Sequence, residues 1–156
     1  MKDKFFTFDG PISEDELITM AKNAIAERIL KSCVFSSPDT VRDFLILELS
    51  NKPMEVFYVL FLNSQHQLLG IEGMFNGTID GAAVHPREVV RKSLEYNAAA
   101  VIFAHNHPSG HLEPSKSDVV ITDRLKASLS LIDVRVLDHF IVGKDGVMSF
   151  AERGML

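Results

Sequence analysis

Two segments of strand length, Glu55 to Leu62 and Ala98 to Ala104, are apolar at almost every position. A strand with one face in water alternates apolar and polar residues, so an unbroken apolar run belongs to a strand covered on both faces. The first run is β-branched and aromatic, which suits a strand better than a helix. Both are therefore expected inside a sheet, the second as a central strand. Asn63 to Gln67 is a polar turn, and Leu68 to Phe75 is the return strand of a hairpin. The dipeptides Asn76-Gly77 and Asp80-Gly81 mark further turns. Residues 133–143 and 147–150 form a closing hairpin through Lys144-Asp145-Gly146.

Helical periodicity occupies most of the remainder. Ser13 followed by Glu14, Asp15 and Glu16 is an N-cap with an acidic first turn. Leu17, Ala21, Ile25 and Ile29 continue at a spacing of four, which predicts a helix over about 14–31. Ser36-Ser37-Pro38 punctuates the chain before a helix over about 39–49. Pro86 opens a helix to about 96, with Val89, Val90 and Leu94 on one face. Ser115 caps another over about 116–131, whose inner face is Ile121, Leu125, Leu129 and Ile132. Strands and helices in this order describe an α/β (α+β) domain with a mixed β-sheet flanked by helices. The length of 156 residues suits one domain. Residues 1–33 read as a leader and helix appended to a domain over 34–156.

A chain of this size buries roughly two thirds of its unfolded surface and needs no metal to fold. A metal site here is expected to serve catalysis. The single cysteine, Cys33, excludes an intramolecular disulfide and reads as a small hydrophobe at a helix end. No secretory signal and no apolar stretch of about 18 residues is present, so the expectation is a cytoplasmic chain without a membrane span. The formal net charge of −5 argues against nucleic acid as a partner. The densest basic patch, Arg87, Arg91 and Lys92, reads as a solvated helix face.

The chemistry concentrates at His105, His107 and Asp118. Side chains alternate along a strand, so His-x-His at a strand end directs both imidazoles to one side. Asp118 falls in the first turn of the next helix, and the intervening loop can return its carboxylate to the same point. Two histidines and one aspartate leave a fourth tetrahedral position open, the pattern of catalytic zinc. Two plainer readings compete with this. His-x-His is common, and Ser115-x-x-Asp118 is a near capping box whose carboxylate would only satisfy helix N–H groups. The readings are compatible if Ser115 caps while Asp118 faces a metal. Pro108-Ser109-Gly110 adds a polar turn after a buried strand, where sites gather in such sheets. Ser109 lacks an acid–base relay for a nucleophile. His85-Pro86 reads as a helix entry that can line the cleft, His139 as a buried hydrogen-bonded histidine on a strand, with Asp138-His139 as a pair supporting the ligands from behind as the alternative, His111 as solvated and His66 as a surface turn residue.

His105-x-His107-Pro108 followed by Ser115-x-x-Asp118 resembles the JAMM motif of the JAB/MPN metalloprotease superfamily. The longer string from His105 to Gly110, with Glu113-Pro114-Ser115 and Leu137-Asp138-His139, resembles its RadC-like branch. Gly77-Thr78, His85-Pro86-Arg87-Glu88 and Asn97-Ala98-Ala99-Ala100 add to the match, which covers about residues 34–150. The chain resembles a short form without the N-terminal helix-hairpin-helix of long RadC proteins. The resemblance implies an MPN/JAB, cytidine-deaminase-like architecture and one zinc ion per chain held by His105, His107 and Asp118. It implies a metalloprotease-type hydrolase acting on a peptide-like or isopeptide bond. It further implies a glutamate on an early strand as general base and Ser115 as support for the oxyanion. Glu55 begins the first strand and is the first choice for the base, ahead of Glu72 and Glu88. A peptide or protein substrate follows, and a homo-oligomer is compatible. A role linked to nucleic acid and a non-catalytic partner-binding domain are the competing functions.

Overall fold

The structure is a computed structural model that describes residues 10–21, 24, 38–76, 84–144 and 146–156. Its elements are α1 (Pro38–Leu49), β1 (Val56–Leu62), β2 (Leu68–Asn76), α2 (Pro86–Glu95), β3 (Ala100–Asn106), α3 (Lys116–Ser130), β4 (Arg135–Val142) and β5 (Val147–Ser149). The strands form one sheet in the order β2-β1-β3-β4-β5. β1 pairs antiparallel with both β2 and β3, β3 runs parallel to β4, and β4 pairs antiparallel with β5. The sheet is mixed, and both apolar runs lie inside it, side by side.

Two hydrophobic layers cover the sheet, and alternation along each strand sorts residues between them. Leu60, Leu62, Ala100, Ile102, Ala104, Phe140 and Val142 face Val41, Phe44, Leu45 and Leu49 of α1. Phe57, Val59, Phe61, Val101 and Phe103 face Val89 of α2 and Leu125 and Leu129 of α3. The same alternation carries His105 to the α2–α3 side and Asn106 to the α1 side.

β3 lies two residues further along than the apolar run suggests, because its start is taken by the end of α2. Asn97 adopts a left-handed conformation at φ 50°, and Ala98 N–H reaches back to Ser93 O at 2.9 Å. This six-to-one bond closes α2, and Ala99 makes the first inter-strand bonds, its N–H donating to Leu62 O at 2.8 Å and its carbonyl accepting from Arg135 N–H at 3.1 Å. At its other end β3 keeps pairing through His105 with Phe57 and through Asn106 with Val142. His105 is thus a strand residue rather than the first residue of a loop. On α2 the buried face is Val89 and Ser93, with Ser93 Oγ donating to Val89 O at 2.8 Å. Leu94, expected inward, is 61% exposed because the spacing of four from Val89 selects Ser93 instead. On α3, Leu125 and Leu129 are fully buried, while Ile121 and Ile132 pack partly buried against the same cluster.

Ser13 caps the N-terminal helical turn, with Glu16 N–H donating to its Oγ at 3.2 Å and its own N–H donating to Glu16 Oε2 at 2.9 Å. Residues 14–21 are helical. Apart from residue 24, which is helical, the rest of that expected helix, Cys33, the boundary at residue 34, and the turns at Gly77 and at Asp80-Gly81 lie outside the described residues, as does Asp145 of the closing hairpin.

Candidate metal centre

His105 sits at the end of β3 beneath α3, 1% exposed. His107 follows one residue past the strand, tied down by its N–H to Val142 O at 2.9 Å. The chain then turns tightly, with Gly110 N–H donating to His107 O at 2.9 Å and Gly110 at φ 84°. A left-handed residue costs least as glycine. The loop ends at Ser115, which caps α3. Asp118 N–H donates to Ser115 Oγ at 3.1 Å, and Ser115 N–H donates to Asp118 Oδ2 at 2.7 Å. That is a complete capping box. The same carboxylate also faces the histidines, with Oδ1 at 3.4 Å from His105 Nε2 and Oδ2 at 3.5 Å from His107 Nε2. The cap and the inward-facing carboxylate are one arrangement, and the cap sets the aim of the carboxylate.

The two imidazoles meet with His105 Nε2 and His107 Nε2 3.0 Å apart. His107 Nδ1 lies 2.8 Å from the main-chain carbonyl of His111. A carbonyl only accepts, so Nδ1 carries a proton and a neutral His107 turns the lone pair of Nε2 inward. Glu55 completes the group: one ligand atom each from Glu55, His105, His107 and Asp118 lies within 4.8 Å of all the others. Nitrogen and carboxylate oxygen lone pairs converging on one buried point need positive charge between them. A divalent cation satisfies that need, and two histidines with carboxylates are a donor set zinc accepts. The group could hold a metal ion.

The titration behaviour reflects this crowding. Burial acts to raise the Asp118 carboxyl, but the facing imidazoles of His105 and His107 and the hydrogen bond from Ser115 outweigh it and hold the group far below the usual carboxylate range. Contact with Asp118 raises His107, against the opposing effect of burial. Burial lowers His105. Burial pushes the Glu55 carboxyl up to about 7, opposed by His107 and assisted by the negative charge of Asp118.

Glu55 is positioned by β1 and by a residue that sequence reasoning did not single out. Phe57 pairs with His105, so the residue two before it emerges beside the end of β3. Asn106, 2% exposed on the opposite face of β3, holds the chain on both sides of Glu55. Its Oδ1 accepts from Val56 N–H at 2.8 Å, and its Nδ2 donates to Lys52 O at 3.3 Å and Met54 O at 3.2 Å. The only signal available in the sequence was its place between the two histidines. Glu72 stands on the outer strand opposite Val59, where Tyr96 Oη at 2.8 Å and Lys92 Nζ at 3.2 Å donate to it and lower its pKa. Glu88 pairs with Arg87 and Arg91. Neither belongs to the four-residue group.

The remaining sequence candidates lie elsewhere or act differently. His85 is exposed at the start of α2 and lines a separate cavity of about 590 Å³ with Arg87 and Arg124. His111 contributes its main-chain carbonyl, not its ring. His66 occupies a turn at φ 59° and meets Arg135. Asp138 does not pair with the His139 ring; it accepts from the N–H groups of His139 and Ala151 and from Ser149 Oγ. The ring of His139, fully buried, meets His105 instead, with His139 Nε2 2.8 Å from His105 Nδ1. Arg91 and Lys92 are matched by Glu72, Glu88 and Glu95, which makes the basic strip of α2 a mixed-charge face.

The family model of the RadC-like JAB domain matches residues 35–155. A UPF0758 protein of Methylibium petroleiphilum is 53% identical over 150 residues, covering 94% of this chain and 68% of that protein. A UPF0758 protein of Leptothrix cholodnii is 51% identical over the same length and shares. One from a Marinomonas species is 52% identical over 140 residues, covering 90% of this chain and 62% of that protein. The chain thus spans between 62% and 68% of the length of these relatives. With its mixed sheet, its His-x-His strand end and its capped aspartate, the chain belongs to the RadC-like JAB domain family.

Proposed function

We propose that this chain is a zinc-dependent hydrolase that cleaves a peptide-like or isopeptide bond in a peptide or protein substrate. The observation that carries the reading is the convergence of His105, His107, Asp118 and Glu55 within 4.8 Å, on a scaffold that turns their lone pairs toward one point. His105, His107 and Asp118 hold the ion, and Glu55 stands beside it as the acid–base group. Bound zinc supplies Lewis acidity: it lowers the pKa of a water and polarises a carbonyl.

Everything else is supplied by the chain. Glu55, with a carboxyl raised to about 7 by burial, is poised to take a proton from the attacking water and to return it to the leaving nitrogen. Asn106 fixes the main chain around Glu55, so the carboxylate meets the water in one orientation. Ser115 Oγ accepts from Asp118 N–H in the helix cap, which leaves its hydroxyl proton to support the oxyanion. Phe57 stacks along His105 at 6.2 Å between ring centres.

The test measures zinc and hydrolysis separately. Protein purified without chelators is expected to carry about one zinc per chain by elemental analysis, lost in His107→Ala. A panel of peptide and isopeptide substrates then reports cleavage, and Glu55→Gln is expected to keep zinc while losing activity by at least about 100-fold. Zinc-free wild-type protein, or undiminished cleavage by Glu55→Gln, overturns the reading.

A further inference from the structure

Behind the metal-facing side of His105 runs a closed chain of buried hydrogen bonds. His105 Nδ1 is 2.8 Å from His139 Nε2, His139 Nδ1 is 2.6 Å from Thr122 Oγ1, and Thr122 Oγ1 donates to Asp118 O at 2.5 Å. All four residues are at most 1% exposed. The protons in this chain can be counted. The Asp118 carbonyl only accepts, so the single hydroxyl proton of Thr122 goes there. Thr122 Oγ1 must therefore accept at its other contact, which places a proton on His139 Nδ1. His139 is packed against the rings of Phe57, Phe103 and Phe150, and among the described residues its ring nitrogens meet His105 and Thr122 and no carboxylate within hydrogen-bond distance. An imidazole in such an apolar cage is neutral and carries one proton only. Its Nε2 is then an acceptor, and the proton between the two rings belongs to His105 Nδ1.

We propose that Thr122 and His139 are positioning residues that set the tautomer of His105. Acting in series, they put its proton on Nδ1 and leave the Nε2 lone pair facing Asp118 and His107. The inference rests on the metal reading above for its purpose, but its proton count does not. Histidine ligands commonly donate their second N–H to a carboxylate or a carbonyl. Here the acceptor is a second histidine, whose own orientation is fixed by a hydroxyl one helical turn beyond Asp118. Two of the candidate ligands, His105 through its ring and Asp118 through its main chain, are thereby joined in one rigid circuit. Without the Thr122 hydroxyl, His139 Nδ1 loses the oxygen it donates to. The favourable response is for His139 to move its proton to Nε2, and His105 must then accept at Nδ1. That forces a proton onto His105 Nε2, where a metal would bind.

Thr122→Val keeps the shape and removes the hydroxyl, and Thr122→Ser restores it. The full chain labelled with ¹⁵N-histidine, stripped of metal and held at about pH 8 where imidazoles are ordinarily neutral, reports each ring's tautomer by long-range ¹H–¹⁵N correlation. Competition with a chromophoric chelator reports affinity for zinc alone. The expected result is Nδ1–H for both His105 and His139 in the wild type and in Thr122→Ser. In Thr122→Val both switch to Nε2–H, and zinc affinity falls about 10- to 100-fold. Nε2–H on wild-type His105 overturns the inference. So does a Thr122→Val protein that keeps Nδ1–H, or one that switches tautomer yet binds zinc within about twofold of wild type. If no variant and no wild type binds zinc, the hydrolase reading fails, and the tautomers of the metal-free protein alone decide the relay.

Discussion

Asn106 is the residue whose removal separates the placement of Glu55 from the binding of a metal. Its side chain is 2% exposed and makes three hydrogen bonds to the main chain on either side of Glu55. In Asn106→Ala the Val56 N–H loses its acceptor, and an orphaned buried donor costs about 1–3 kcal/mol. The bonds to Lys52 O and Met54 O are longer, at 3.3 and 3.2 Å, and those carbonyls lie near exposed chain where water can replace the amide. They add about 0.5 kcal/mol each, the low end for a net hydrogen bond. The total is about 2–4 kcal/mol, which for a chain of this length lowers Tm by about 4–16 °C. Asn106→Asp is the sharper variant. It keeps the acceptor for Val56 N–H but turns a carboxylate toward two carbonyls. That carboxyl should have a folded pKa above its unfolded value. The variant is then least stable at neutral pH and recovers as pH falls through the raised pKa, where a protonated oxygen donates again. Thermal unfolding from pH 4 to pH 8 reads all three proteins. Since Asn106 touches no metal-facing atom, both variants should retain zinc while hydrolysis falls. A Tm change below about 2 °C in Asn106→Ala, or an Asp variant insensitive to pH, refutes the reasoning.

Asp118→Asn should destabilise the metal-free protein at neutral pH: an amide oxygen still accepts from Ser115 N–H, but the ionised form that the site stabilises is gone. Asp118→Ala should cost about 0.5–2 kcal/mol of cap energy in chemical denaturation. Both should lose zinc, and stoichiometric zinc in Asp118→Asn would return the residue to a purely structural role. Because burial raises the Glu55 carboxyl to about 7, ionising it destabilises the metal-free fold at higher pH. Glu55→Gln should therefore raise Tm at pH 8, with the gain fading as pH falls below 7, and equal gains at pH 8 and pH 5 would contradict the burial argument. At Gly143 an added Cβ would meet Gly110 O at 2.6 Å and Leu112 Cδ2 at 2.7 Å. Gly143→Ala must displace the loop whose His111 carbonyl orients His107, so a loss of about 1–3 kcal/mol with weaker zinc binding is expected. Wild-type zinc affinity in that variant would show that the loop does not orient His107.

Local regularities of the backbone made much of the site legible. Alternation along a strand is a geometric constant, so the spacing of His105 and His107 already required both rings on one side. The spacing of Ser115 and Asp118 is that of a capping box, and the box formed. Unbroken apolar runs identified β1 and β3 as inner strands, because only doubly covered strands tolerate them. These readings depend on neighbours within a few positions. Leu94 faces outward against the helical expectation, since two residues compete for one helical face and only the partner surface selects between them.

Long-range placement was decided by packing. Glu55 rather than Glu72 joins the histidines because Phe57 pairs with His105 while Glu72 sits opposite Val59 on the outer strand. A register of this kind is chosen by burial summed over the whole sheet, and no single segment encodes it. His139 reaches His105 because β4 lies parallel beside β3, and Thr122 reaches His139 because α3 crosses over both. Asn106 grips the segment around Glu55 from some 50 positions away. The chain by itself determined which side chains share a face; the order of the strands determined which of them meet, because contact between distant segments exists only once the sheet has assembled.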